Sequence, residues 1–74
     1  MHEVDTVELR KAMVNNGIIT IESLAEKSGI NRNTCSEVVN GKIYPSSMVM
    51  EKLKVALGMT PEEAGRIFFK EKLA

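Results

Sequence analysis

Six residues with the chemistry to recognise a partner are crowded into one short stretch: Arg32, Asn33, Ser36, Glu37, Asn40 and Lys42. A helix from Arg32 to about Asn40, at 100° per residue, puts Asn33, Ser36, Glu37 and Asn40 on one side. Cys35, Val38 and Val39 fall on the other. Small polar side chains on one face let a helix sit deep in the major groove and hydrogen-bond base edges. The Arg32 guanidinium suits a guanine edge or a phosphate, and Glu37 could accept from a cytosine amino group while repelling phosphates. Asn40 and Lys42 suit backbone phosphate, aided by open amides near Gly41. Plainer roles exist for each: a solvated or internally paired arginine, ordinary polar surface, a surface lysine. Tyr44 either reaches a phosphate or covers the loop, and the second role is favoured.

Other chemistry has little support. No paired carboxylates, metal-ligand cluster or glycine-rich phosphate loop stands out, so an enzyme is not expected, nor a metal or a cofactor. Catalysis by Cys35 would need exposure and a neighbouring base. It reads instead as a small core residue. His2 lies at a terminus expected to fray.

The elements that must position the polar face are all helical. Asp5 or Thr6 opens a first helix whose Leu9, Ala12 and Met13 face inward, and Asn15, Asn16 and Gly17 stop it. Ile18 and Ile19 are read as a buried connection, too short to build a sheet. Thr20 caps a second helix with Leu24 and Ala25 inward. Gly29 makes the turn, Ile30 plugs the angle between helices, and Asn31 caps the third helix. Gly41 ends that helix, and Ser46 caps a fourth whose apolar face is Val49, Met50, Leu53, Ala56 and Leu57. After Gly58, Thr60, Pro61 and Glu63 form a capping box with proline at the first helical position, the sharpest local signal in the chain. The fifth helix turns Ala64, Ile67 and Phe68 inward and leaves Phe69 and Leu73 as a second apolar strip, a candidate dimer or partner surface. The fold class expected is all-α, five short helices without a strand, in one domain over residues 1–74. Helices two and three join too tightly to lie antiparallel and form a helix-turn-helix over about residues 20–41.

The totals narrow the partners. Seventy-four residues make a small single core, burying only about 60% of the extended surface. An apolar fraction of 43% argues against disorder. No apolar run approaches the ~20 residues of a membrane span, and Met1 to Asp5 lack the start of a signal peptide. One cysteine suits a reducing bacterial cytoplasm. Ten basic residues balance ten acidic ones, unusual where phosphate contacts dominate affinity.

The stretches Leu24 to Ile30 and Val39 to Lys42, with Pro45, Ser46, Leu53, Ala56, Leu57 and Gly58 behind them, resemble the Cro/repressor-type helix-turn-helix domains of phage repressors and small bacterial regulators. The resemblance covers residues 9 to about 64. It implies a five-helix bundle whose third helix reads double-stranded DNA, commonly as a dimer on a two-fold site. Three departures stand out. Ile21 takes the place of a frequent DNA-contacting glutamine, and Glu37 that of a frequent basic residue. Met13 and Val39 match the positions of an arginine–glutamate ion pair, so they are expected to lie near each other.

Two functions fit these residues. The first is a small phage or bacterial transcription regulator that binds operator DNA through the third helix, as a weak homodimer. The second is a modulator or antirepressor of a genetic switch, gripping a repressor protein. Zero net charge, Ile21 and Glu37 favour the second.

Overall fold

The computed structural model describes residues 1–72. Five helices follow in chain order: α1 (Thr6–Asn15), α2 (Ile21–Ser28), α3 (Arg32–Val39), α4 (Ser47–Ala56) and α5 (Pro61–Phe68). Each begins at a side-chain cap. Asp5, Thr20, Asn31, Ser46 and Thr60 accept from amides two or three residues ahead, and at α5 Glu63 returns the bond to complete the capping box. Such caps satisfy amides that have no partner inside their own helix.

The apolar faces converge on one cluster. Leu9, Leu24, Cys35, Val38, Val39, Leu53 and Phe68 are its fully buried members. α2 packs on α3 and α4, while α1 packs on α3 and α5. Met13 and Val39 are 4% and 0% exposed and belong to this cluster where α1 packs on α3. The two positions expected to stand in for an ion pair are thus both filled by apolar packing, an exchange that is often neutral or stabilising when both partners change.

Gly29 has φ +75° between α2 and α3, a left-handed conformation that strains side chains with a Cβ. Its amide bonds to the Ala25 carbonyl at 2.8 Å. The chain thus leaves α2 within one residue and enters α3 at an angle.

Three expectations need correction. A strand pair does form: β1 (His2–Glu3) lies antiparallel to β2 (Lys70–Glu71), joining the two ends of the described chain. Two-residue strands are too short to carry a periodic signal. Ile18 is buried but Ile19 is 83% exposed. The Ile18 amide bonds to the Met13 carbonyl and fixes that side chain inward, so its neighbour, outside any helix, diverges to solvent. Finally, α5 stops at Phe68, with Phe69 as its C-terminal cap and β2 immediately after. The helical strip expected at Phe69 and Leu73 does not run through Phe69 to Lys72, and Leu73 lies outside the described residues.

Candidate nucleic-acid interface

The polar side of α3 faces solvent, as the helical spacing requires. Arg32, Asn33, Glu37 and Asn40 are exposed, Ser36 is half-buried, and Cys35, Val38 and Val39 are buried behind them. Lys42 follows, also exposed. All six sequence-selected residues therefore share one side of the helix-turn-helix or its trailing turn.

The start of α3 is built from nearby sequence. Asn31 Oδ1 accepts from the Asn33 amide at 2.8 Å. Arg32 Nη1 lies 3.9 Å from Glu22 Oε1 on α2, and the two side chains are 67% and 76% exposed. An ion pair this long and this wet holds little energy. Its effect is local: a carboxylate sits beside the one cation of the exposed side of α3. Ile21, at the start of α2, is half-buried and packs against the core, so it offers nothing polar to a phosphate.

The end of α3 is built differently. Asn40 Nδ2 donates to the Ser36 carbonyl at 2.9 Å and to Ser36 Oγ at 3.3 Å. Asn40 Oδ1 accepts from Arg10 Nη2 of α1 at 2.8 Å, across 30 positions of sequence. Arg10 was not singled out by the sequence. Nothing in the spacing of α1 distinguishes it from any other exposed helical arginine.

The amides near Gly41, expected to be open, are closed. Gly41 donates to the Val38 carbonyl at 3.1 Å and Lys42 to the Glu37 carbonyl at 2.8 Å, with Gly41 at φ +72°. This is the double-bonded Schellman ending of a helix. It uses the donors that a phosphate would otherwise take, so any anion contact at this end comes from side chains. A Cβ on Gly41 would also approach Thr6 Cγ2 to 3.3 Å, so the turn is pressed against α1.

Tyr44 anchors the following loop by donating its hydroxyl to the Phe68 carbonyl. That is the loop-covering role, and it leaves the hydroxyl engaged. Desolvation pushes the Tyr44 phenol above its ordinary range. Desolvation likewise raises the Cys35 thiol, against a smaller lowering by the neighbouring Ser28 side chain. With its side chain 1% exposed, Cys35 is a core residue held as the thiol.

Beside the trailing turn of α3, Met1 to Val4 line one cleft with Asn40, Gly41 and Lys42, and the strand pair there carries a further feature. The His2 ring meets Phe69 edge-on at 5.4 Å, and His2 Nε2 lies 3.6 Å from Glu71 Oε2. His2 is thus part of the β1–β2 clasp and not a fraying end, while Phe69 remains 50% exposed. Among the described residues, no group of three or more His, Cys, Asp or Glu could hold a metal ion. Nor is any helix there long and apolar enough to cross a membrane.

Comparison with known proteins agrees with this geometry. The restriction-modification controller protein C.AhdI of Aeromonas hydrophila superposes with a TM-score of 0.70 at 30% identity, over 80% of this chain and 88% of that one. A segment of HEPD from Streptomyces albus superposes with a TM-score of 0.68 over 86% of this chain and 14% of that one. At 20% identity, this second likeness is one of fold alone. Antitoxin HigA-1 of Vibrio cholerae is 46% identical over 44 residues, 60% of this chain. The chain spans about two-fifths (41%) of that relative's length. The family profile described as the Cro/C1-type HTH DNA-binding domain matches residues 8–65, taking in α2, α3 and α4 whole and most of α1 and α5. The chain belongs to the Cro/C1-type helix-turn-helix family.

Proposed function

We propose that this chain is a small phage or bacterial transcription regulator that lays α3 in the major groove of operator DNA. One observation carries the reading. α3 buries Cys35, Val38 and Val39 and presents Arg32, Asn33, Ser36 and Glu37 outward from the tight turn at Gly29. In this reading Arg32, Asn33 and Ser36 address base edges, Glu37 discriminates against wrong sequences, and Asn40 and Lys42 form the backbone-facing end. Two copies would occupy half-sites about one helical turn apart, ~34 Å, with the half-exposed Phe69 offered to the dimer contact. The similar C.AhdI is described as a controller protein and HigA-1 as an antitoxin, both names in keeping with a regulatory role.

A second reading rests on charge. Among the described residues Glu37 has no cation within 4 Å, and the chain's net charge is zero. A carboxylate in the middle of the reading face weakens a grip on phosphates and suits contact with another protein. Here the partner would be a repressor and the chain an antirepressor.

Selection of bound duplexes from a random-sequence pool, followed by a gel shift, decides between them. A regulator enriches sequences related by a two-fold axis and retards them. No enrichment, with no retardation even at low salt, overturns the first reading. Complex formation with a repressor would then support the second.

A further inference from the structure

The end of α3 holds a cation that comes from another helix. Arg10 of α1 reaches Asn40 Oδ1 at 2.8 Å. The Asn40 amide nitrogen is held in turn by the Ser36 carbonyl and hydroxyl oxygens. Both ends of the Asn40 amide are therefore engaged inside the protein, which leaves it poorly placed to address DNA itself. Arg10 is in the opposite position. It is exposed, and among the described residues no carboxylate lies within 4 Å of it. One contact to Asn40 leaves its other N–H donors for a bidentate partner, and guanidinium geometry matches phosphate oxygens.

The backbone around this point points the same way. The Gly41 and Lys42 amides are used in closing α3, so phosphate contact there has to come from side chains. We infer that Arg10 is a phosphate-contacting residue of the DNA interface, and that Asn40 is the positioning residue that holds it beside the end of α3. This rests on the DNA-binding reading above and changes the role of Asn40 within it. The competing role is structural: a guanidinium near a helix C-terminus is favoured by the dipole and ties α1 to α3 whether or not DNA is present.

The two roles separate in the salt dependence of binding to a mixed-sequence linear duplex, where base readout does not contribute. Each phosphate neutralised contributes about 0.9 to the log–log slope. Arg10→Gln keeps a donor for Asn40 but loses the charge. Asn40→Asp keeps an acceptor for Arg10 and cancels its charge, while giving up the donation to the Ser36 carbonyl. We expect each variant to lose about 0.9 of slope, Arg10→Lys to keep the slope, and thermal unfolding to show all three folded. Wild-type slopes in both Arg10→Gln and Asn40→Asp would overturn the inference and leave the DNA-binding reading standing. If the wild-type chain failed to bind the duplex at any salt, the reading itself would fall, and the inference with it.

Discussion

The two ends of α3 are held by different means. At its start, every fixing contact comes from within about a dozen residues: the Gly29 turn, the Asn31 cap and the Glu22–Arg32 pair. At its end, the local closing bonds of Asn40, Gly41 and Lys42 are joined by contacts from distant sequence. Arg10 binds Asn40, Thr6 lies against Gly41, and Tyr44 ties the next loop to Phe68. The charges differ as well. A carboxylate sits beside Arg32, whereas Arg10 and Lys42 have no acidic neighbour within 4 Å among the described residues. In the proposed DNA-binding reading, the start would discriminate between sequences and the end would supply a sequence-independent grip.

The largest effect is expected beneath the distal end. Val39→Glu alone buries an unpaired carboxylate in the cluster that also holds Met13, a loss of about 3–5 kcal/mol in stability. Adding Met13→Arg should recover part of it, which chemical unfolding of the single and double variants would measure. No recovery would mean that the two side chains do not face each other.

At the start, Arg32→Ala should weaken binding to a selected operator by roughly 1–3 kcal/mol if the guanidinium grips a base edge in bidentate fashion. Binding to mixed-sequence duplex should change much less. Equal losses on both would make Arg32 a phosphate contact and erase the difference between the ends.

Smaller effects come from the anchors. Asn31→Ala removes a local cap and Tyr44→Phe a distant hydrogen bond, each costing about 1 kcal/mol. Hydrogen exchange should tell them apart, opening the first turn of α3 in one variant and the loop before α4 in the other. Alkaline pH weakens the same distant anchor. Both the phenol and the Cys35 thiol bind their protons more tightly when folded. The stability they contribute is whole below their ordinary values of 10.0 and 9.0 and is lost as pH rises through the raised folded values. An unfolding series from neutral to alkaline pH should therefore decline, and Tyr44→Phe should decline less.

The smallest effect belongs to the exposed pair. Glu22→Gln should change stability by less than ~1 kcal/mol but free the Arg32 charge and steepen the salt dependence of binding. An unchanged slope would show that the carboxylate does not attenuate Arg32.

This contrast also explains what the sequence could show. The caps, the turn glycines and the apolar faces of α1 to α5 depend on neighbours three or four positions away, and all five caps are visible as residue types at fixed offsets. The polar face of α3 was legible for the same reason. What spacing could not show was the third dimension. Arg10 meets Asn40 only because α1 packs across α3. His2 meets Phe69 only because the chain ends pair as β1 and β2. The burial expected of Ile19 and the amides near Gly41 were local errors. A glycine after a helix marks its end, but not how many carbonyls the closing turn will satisfy.

The central claim is that α3 and its trailing turn are where this chain meets DNA. Titrating the isotope-labelled chain with a selected duplex, and following backbone amide signals, tests it residue by residue. The account predicts shifts or broadening concentrated from Arg32 to Lys42 and around Arg10, with α5 and Phe69 unaffected at DNA concentrations that saturate α3. Perturbations confined to Phe69 and the strand pair, with α3 silent, would contradict it.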